Sequence, residues 1–290
     1  MGYLFLTLAL VGGLGKGFLG KFISNDVNNF SECIAINALR MFFCSIIGTA
    51  FVLFTSGLQI VTGYALFISL LSAISMSTFC VCWLYAYKTE AYMFLSVFTM
   101  LGTVITCLLS RIFLRETIKP LQWLGMVLVL VAIYIMSLYN KSISGKFTLK
   151  GIAILLIGCS GAAVADFCQK LWVINVKLDG TVFNFYMYLF SYLILLLILI
   201  ITPKAKQQIN ITNKKYVAIC FFISAFLYMN SFSKTIAAVF LPSAQIYPVL
   251  QGANIICSAL LARILLKEKI TVKSVIGMVI AFVAIIIMKL

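Results

Sequence analysis

Four ionisable residues stand inside long apolar runs of this chain: Lys16, Arg40, Asp166 and Lys234. A charge surrounded by hydrocarbon has to meet a counter-charge, a water-filled space or a polar solute, so such positions are functional candidates by default. Arg40 carries a permanent charge on a planar fork that can grip a carboxylate or phosphate through two parallel bonds. It follows Glu32 by eight residues, a little over two helical turns, so the two side chains can lie on neighbouring faces of one helix. Two roles fit Arg40: an anion contact in a solute pathway, or a structural pair with Glu32, Asp166 or a carbonyl. Lys16 and Asp166 occupy nearly equivalent places in two different runs and are expected to approach each other near the middle of the membrane. They could form a lasting ion pair, or Asp166 could exchange protons as solute moves. Lys234 follows Asn230 and Ser231 and could touch solute or snorkel to the interface, as Lys21 and Lys170 are expected to do from run ends.

Polar and aromatic side chains within the runs could line the same pathway: Asn37, Trp83, Tyr87, Asn184, Tyr228, Gln245, Tyr247, Gln251 and Asn254. Trp and Tyr also belong to interfacial belts, so each has a second explanation. The candidate substrate-binding set is Arg40, Lys16, Asp166, Lys234, Asn37, Trp83, Tyr87, Tyr228, Tyr247 and Gln251. No catalytic, cofactor or metal site is expected. The chain has no histidine and seven acids, mostly in turns, which leaves an acid–base or metal-dependent enzyme without its usual groups. Nine cysteines are scattered through apolar runs and read as small buried hydrophobes, Cys80 and Cys82 being too close for a CxxC pair. Gly12-Gly13-Leu14-Gly15 fits close helix packing better than phosphate binding.

The elements that must position these residues follow from composition. Of 290 residues, 63% are hydrophobic and 10% charged, where a soluble domain carries about 25% charged. That much apolar surface needs lipid as solvent, and in lipid a helix closes its own backbone hydrogen bonds. Spans are expected at 2–22, 33–55, 63–87, 91–110, 120–139, 151–172, 182–202, 216–239, 243–262 and 272–289, ten in all. The first run has no basic segment before it and reads as the first span, not a cleavable signal. Net charge is +15, but the basic residues lie singly or in short groups between runs. That suits contact with lipid headgroups and argues against a nucleic-acid partner.

The chain also repeats itself. Residues 110–138 and 262–290 align without a gap at an offset of 152, with 14 of 29 positions identical. Arg111/Arg263, Leu114/Leu266, Glu116/Glu268, Gly125/Gly277 and Met136/Met288 are among them. A weaker match at offset 149 sets Gly2, Leu6, Gly12, Phe18 and Lys21 on Gly151, Leu155, Gly161, Phe167 and Lys170. The organisation is therefore a first five-helix repeat over 1–140, a linker over 141–150 and a second repeat over 151–290. Five is odd, so the second half must enter the membrane from the opposite side. The fold class is all-α, a polytopic membrane protein of ten transmembrane helices in two inverted repeats, a plan found in secondary transporters with a site at the midplane.

With these residues in view, the sequence resembles the drug/metabolite transporter superfamily, and within it the EamA-like ten-helix transporters. The resemblance rests on the units around Leu114-Arg115-Glu116 and Leu266-Lys267-Glu268, each followed by Gly125 or Gly277, and on Ala238–Glu268 with Pro242, Ser243, Ala244 and Pro248. The first half departs at Ser96, which stands where the second has Pro248, so a helix break there is expected to be one-sided. The resemblance implies alternating access between two bundles, no ATP-binding domain, and cargo such as metabolites, amino acids, nucleotide sugars or drugs, often moved outward. The expected function is a secondary transporter of a small organic solute, anionic or zwitterionic because three interior cations face one acid, and open to proton coupling. A channel or a non-transporting scaffold is the alternative, a lipid-modifying enzyme a weaker one. The expected partners are solute and lipids, as monomer or homodimer, and the expected location is the plasma membrane of a prokaryote. Lysine and arginine in the loops favour both termini outside, whereas the resemblance implies both inside.

Overall fold

The computed structural model describes residues 2–27, 29–55, 57, 59–144, 148–176, 178–202, 214–241 and 243–289, with the side chains of 144, 243–245, 247, 248 and 289 excepted. Among the described residues it contains only helices. These are α1 (Gly2–Ser24), α2 (Phe30–Thr55), α3 (Gly63–Thr89), α4 (Tyr92–Phe98), α5 (Met100–Leu114), α6 (Pro120–Ser144), α7 (Leu149–Leu171), α8 (Gly180–Ile201), α9 (Lys214–Phe240), α10 (Ser243–Ile264) and α11 (Val272–Lys289). A π-helical turn, Trp172–Val176, extends α7. Among the described residues eight segments are long and apolar enough to cross a membrane, α4 and α5 counting as one; Val249–Ile264 and Val272–Met288 are shorter apolar helices.

Helix starts follow local chemistry. Thr62, Thr148 and Asp179 accept hydrogen bonds from the backbone N–H groups of Ala65, Gly151 and Thr181, satisfying donors that a first turn leaves unpaired. Pro120 opens α6, where its missing N–H does no harm. Arg115, which caps α5, and its repeat counterpart Lys267, in the turn after α10, both have φ 54°. The largest boundary difference from expectation is at α6: the span expected to end at 139 runs on to Ser144, so the first residues of the expected 141–150 linker are helical and Asn140 is buried within α6. Asn140 accepts from the backbone N–H of Ala91 at 2.8 Å and donates to Glu90.

The break at Ser96/Pro248 is one-sided, but it falls in the half without the proline. α10 continues through Pro248, while the fourth span is interrupted at Thr99. There the hydroxyl of Ser96 donates to the carbonyl of Met93, and that of Thr99 donates to the carbonyl of Ser96. Such back-bonding competes with the helical ladder and bends it.

Each first helix packs on the third helix of the other half, α1 on α9 and α7 on α3; the second helices pair as α2 with α8, and the last as α6 with α11. The halves interleave. One apolar core is built mainly from α2, α3, α8 and α9, and a second from α4, α5, α6, α10 and α11 with the end of α3. Exposed leucines, isoleucines and phenylalanines such as Leu53, Phe54, Leu130 and Ile201 cover the outside, as a lipid-facing surface requires.

Repeat-related residues meet at the seams. A Cβ on Gly125 would lie 2.5 Å from Met288, and one on Gly277 would lie 2.7 Å from Met136. The start of each helix therefore abuts the end of the other, so α6 and α11 run antiparallel. Gly12 approaches the backbone of α9 at Phe226 and Asn230, and its counterpart Gly161 approaches α3 at Ser75 and Phe79. Only glycine leaves room for backbones that close.

Candidate functional site

Between the two cores lies a cavity of about 120 Å³, walled by α1, α3, α4, α5, α7, α9 and α10. An apolar cavity of about 150 Å³ admits benzene, so this one is on the scale of a small solute or a few waters. Its charged groups come from three helices that the repeat packs together: Lys16 on α1, Asp166 on α7 and Lys234 on α9. The close approach of α1 to α9 brings Lys16 within 3.0 Å of the Asn230 side-chain oxygen. The amide of Asn230 in turn donates to the carbonyl of Ala9 at 2.6 Å, which fixes its orientation. Lys16 also lies 5.8 Å from the ring centre of Phe79, a cation–π distance. Asp166 forms an ion pair with Lys234.

The expectation for Lys16 and Asp166 holds in that they share one cavity, but the acid's ion pair is with Lys234. Lys16 bonds an amide instead. Lys234 does not snorkel; it turns inward to the acid. Lys21 and Lys170 do not snorkel either. Lys21 donates to the carbonyls of Tyr87 and Glu90, and Lys170 pairs with Glu116 in the turn after α5. A lysine at a helix end finds lipid headgroups by length alone, but here nearby loop acceptors are closer.

Trp83, Tyr87, Gln251 and Asn254 line the cavity as expected from their types. Tyr87 stacks on Tyr92 with ring centres 5.9 Å apart. Gln251 accepts from the Thr99 hydroxyl at 3.2 Å, so the interrupted span and α10 meet there at repeat-equivalent positions. Arg40, Asn37, Tyr228 and Asn184 do not line this cavity. Arg40 donates to Asn37 at 2.7 Å, Asn184 donates to Thr235 at 3.0 Å, and Tyr228 stacks with Phe232. Glu32 is held by Asn29 at its helix start. The side chains of Gln245 and Tyr247 lie outside the described residues.

Asn230, Phe79, Tyr92 and Thr99 line the cavity without having been expected to. Asn230 was within reach of sequence reasoning, because it precedes Lys234 by four residues and so shares its face of the helix. Phe79 precedes Trp83 by the same step. Tyr92 and Thr99 gave no such signal, since their exposure to the cavity depends on where the fourth span breaks.

Arranged this way, the site can hold a small solute by charge and by an aromatic wall. Two ammonium groups face one carboxylate, and the acid is already neutralised by Lys234. Lys16 is then the cation whose present bond, to a neutral amide, leaves its charge for an anionic group.

Comparison with known proteins agrees with this fold. A solved crystal structure of a protein 12% identical in sequence superposes with a TM-score of 0.55, covering 97% of this chain and 98% of that one. At that identity the likeness speaks to fold alone. No curated protein matches the chain. The sequence profile of the EamA-like transporter family matches twice, over residues 3–138 and 149–290. The chain is an integral membrane protein and belongs to the EamA-like transporter family.

Proposed function

We propose that this protein is a secondary transporter that carries a small anionic or zwitterionic organic solute by alternating access, in the plasma membrane of a prokaryote. The arrangement proposed is ten spans in two inverted five-helix repeats, residues 1–140 and 151–290. The antiparallel packing of α6 on α11, with Gly125 on Met288 and Gly277 on Met136, supports the inversion. The observation that carries the function is the cavity between the two cores, with Lys16 on Asn230 and Asp166 on Lys234 at its wall. A solute carboxylate would take Lys16 as its counter-charge, and a solute ammonium would compete with Lys234 for Asp166.

The test is counterflow of labelled solutes in proteoliposomes, with candidates first narrowed by a thermal-shift screen of metabolites on the purified protein. Lys16→Gln should lower counterflow about 10-fold or more, the usual consequence of losing a hydrogen bond made by a charged group. A variant that transports at the wild-type rate would remove Lys16 from the pathway. Flux that never shows counterflow would identify a channel. Proton coupling through Asp166 is tested separately: Asp166→Asn should abolish the pH dependence of transport, and an unchanged pH profile defeats that part of the reading.

A further inference from the structure

Tyr87 and Tyr92 mark where the cavity stops at the end where α3 turns into α4. Among the described residues, no lining residue of α1 lies beyond Lys16 and none of α3 beyond Tyr87. The next turn of α1 closes on the two stacked rings. A Cβ on Gly17 would lie 2.6 Å from the Tyr92 hydroxyl oxygen, and one on Gly20 would lie 2.9 Å from the Tyr87 ring. Behind the rings is a short hinge, Glu90 and Ala91, between the two helices.

Three polar side chains from elsewhere in the fold hold that hinge. Lys21, near the end of α1, donates to the carbonyl of Tyr87 and, at 2.9 Å, to that of Glu90. Asn140 of α6 accepts from the N–H of Ala91 at 2.8 Å. Glu268, in the turn after α10, accepts from the N–H groups of Tyr92 and Met93 at 2.6 and 3.1 Å. A cation at the carbonyl end of α3 and an acid at the amide end of α4 each meet orphaned backbone groups and a helix dipole of opposite sign. Among the described residues Lys21 and Glu268 form no ion pair with each other. Their repeat counterparts, Lys170 and Glu116, do. One lysine–glutamate device thus occurs in two arrangements in a single molecule, on backbone in one copy and on itself in the other. The atoms that Lys21 and Glu268 now hold, the Glu90 carbonyl and the Tyr92 N–H, lie on either side of Ala91, so the two charged heads already flank one residue. Passing from one arrangement to the other leaves neither charge unpartnered, which is the condition for moving ionised groups within a membrane protein.

We propose that Lys21 and Glu268 are positioning residues that latch this end of the cavity. Bound to the hinge, they hold the Tyr87–Tyr92 stack against α1. When both leave the backbone and pair with each other, as Lys170 and Glu116 do, α4 swings from α1 with Tyr92, its first residue, and the end opens. The latch deepens the transporter reading of the same cavity and rests on it for its purpose.

The experiment measures the distance between nitroxides at Phe22→Cys, on α1, and Thr89→Cys, beside the hinge, by double electron–electron resonance on the purified full-length protein in lipid nanodiscs. Both positions are exposed, and a sample without the two cysteines gives the background from native thiols. Lys21→Glu with Glu268→Lys keeps the mutual pair but sets an acid against carbonyls and a cation against N–H groups, so a second, longer distance should become the main one. Lys170→Glu with Glu116→Lys exchanges charges within an existing pair and should leave the distance as in the wild type. Should the first exchange fail to fold, Asn140→Ala, which frees the Ala91 N–H without touching the pair, should raise the longer population by roughly 3- to 10-fold, the worth of one hydrogen bond. A single unchanged distance in both hinge variants, or broadening with no second distance, overturns the proposal. So does an equal response to the exchange at Lys170 and Glu116. The readout needs no solute. A second distance without counterflow keeps the latch and removes the transporter reading; counterflow with one fixed distance does the opposite.

Discussion

The turns that follow α5 and α10 have the same backbone and different partners. Arg115 and Lys267 share φ 54°, and each is followed by a glutamate. Glu268 reaches across to the start of α4 and accepts from the backbone N–H groups of Tyr92 and Met93 at 2.6 and 3.1 Å. A carboxylate there satisfies orphan donors and meets the positive end of the helix. Beside it, Lys21 holds the carbonyls of Tyr87 and Glu90. Glu116 instead pairs with Lys170, the counterpart of Lys21, and stays 44% exposed. The α6–α11 seam, by contrast, is nearly symmetric. The repeat is thus symmetric in its seam and asymmetric at its two turns.

Substitutions can break or sharpen this contrast. The largest effect is expected at Glu268. Glu268→Ala removes two charge-assisted bonds and should lower unfolding stability by about 2–3 kcal/mol, read as a drop in thermal midpoint; a loss no greater than that of Glu116→Ala would erase the asymmetry. Next comes Gly125→Ala. Its new Cβ would meet the backbone of Ala284 at 2.9 Å as well as Met288, and backbone yields little, so a loss of about 1–3 kcal/mol is expected. Gly277→Ala should be milder, at or below about 1 kcal/mol, because the atoms in the way belong to the side chains of Met136 and Ile135. Equal losses for the two glycines would mean that the seam is more symmetric than its contacts suggest. The smallest effect belongs to Glu116→Ala. An ion pair with one partner this exposed contributes roughly 0–1 kcal/mol, and a larger loss would show that Glu116 has a second role.

Much of this molecule is legible in its sequence. Apolar runs bounded by polar turns marked the helices to within a few residues, because in lipid a run of that length has one way to satisfy its backbone. Interior charge marked Lys16, Asp166 and Lys234 as site candidates, since hydrocarbon tolerates such residues only with company, but it set Lys16 against the acid and left Lys234 between solute and the interface. Arg40 was equally conspicuous, yet the same rule could not tell a cavity wall from a helix seam. That depends on which face of α2 meets α3 and α9. The break in the fourth span was legible as a place but not as a half: proline suggested α10, while serine and threonine back-bonding interrupts the first half.

The sequence by itself determined the helices, the repeat and the identical turns after α5 and α10, because each depends on residues near one another along the chain. Only the tertiary structure decided that Asp166 pairs with Lys234 and not with Lys16, that Glu268 caps α4 while Glu116 holds Lys170, and that Arg40 lies outside the cavity. Those partners come from helices distant in sequence, and the register in which the interleaved halves pack selects among partners that charge alone leaves equivalent.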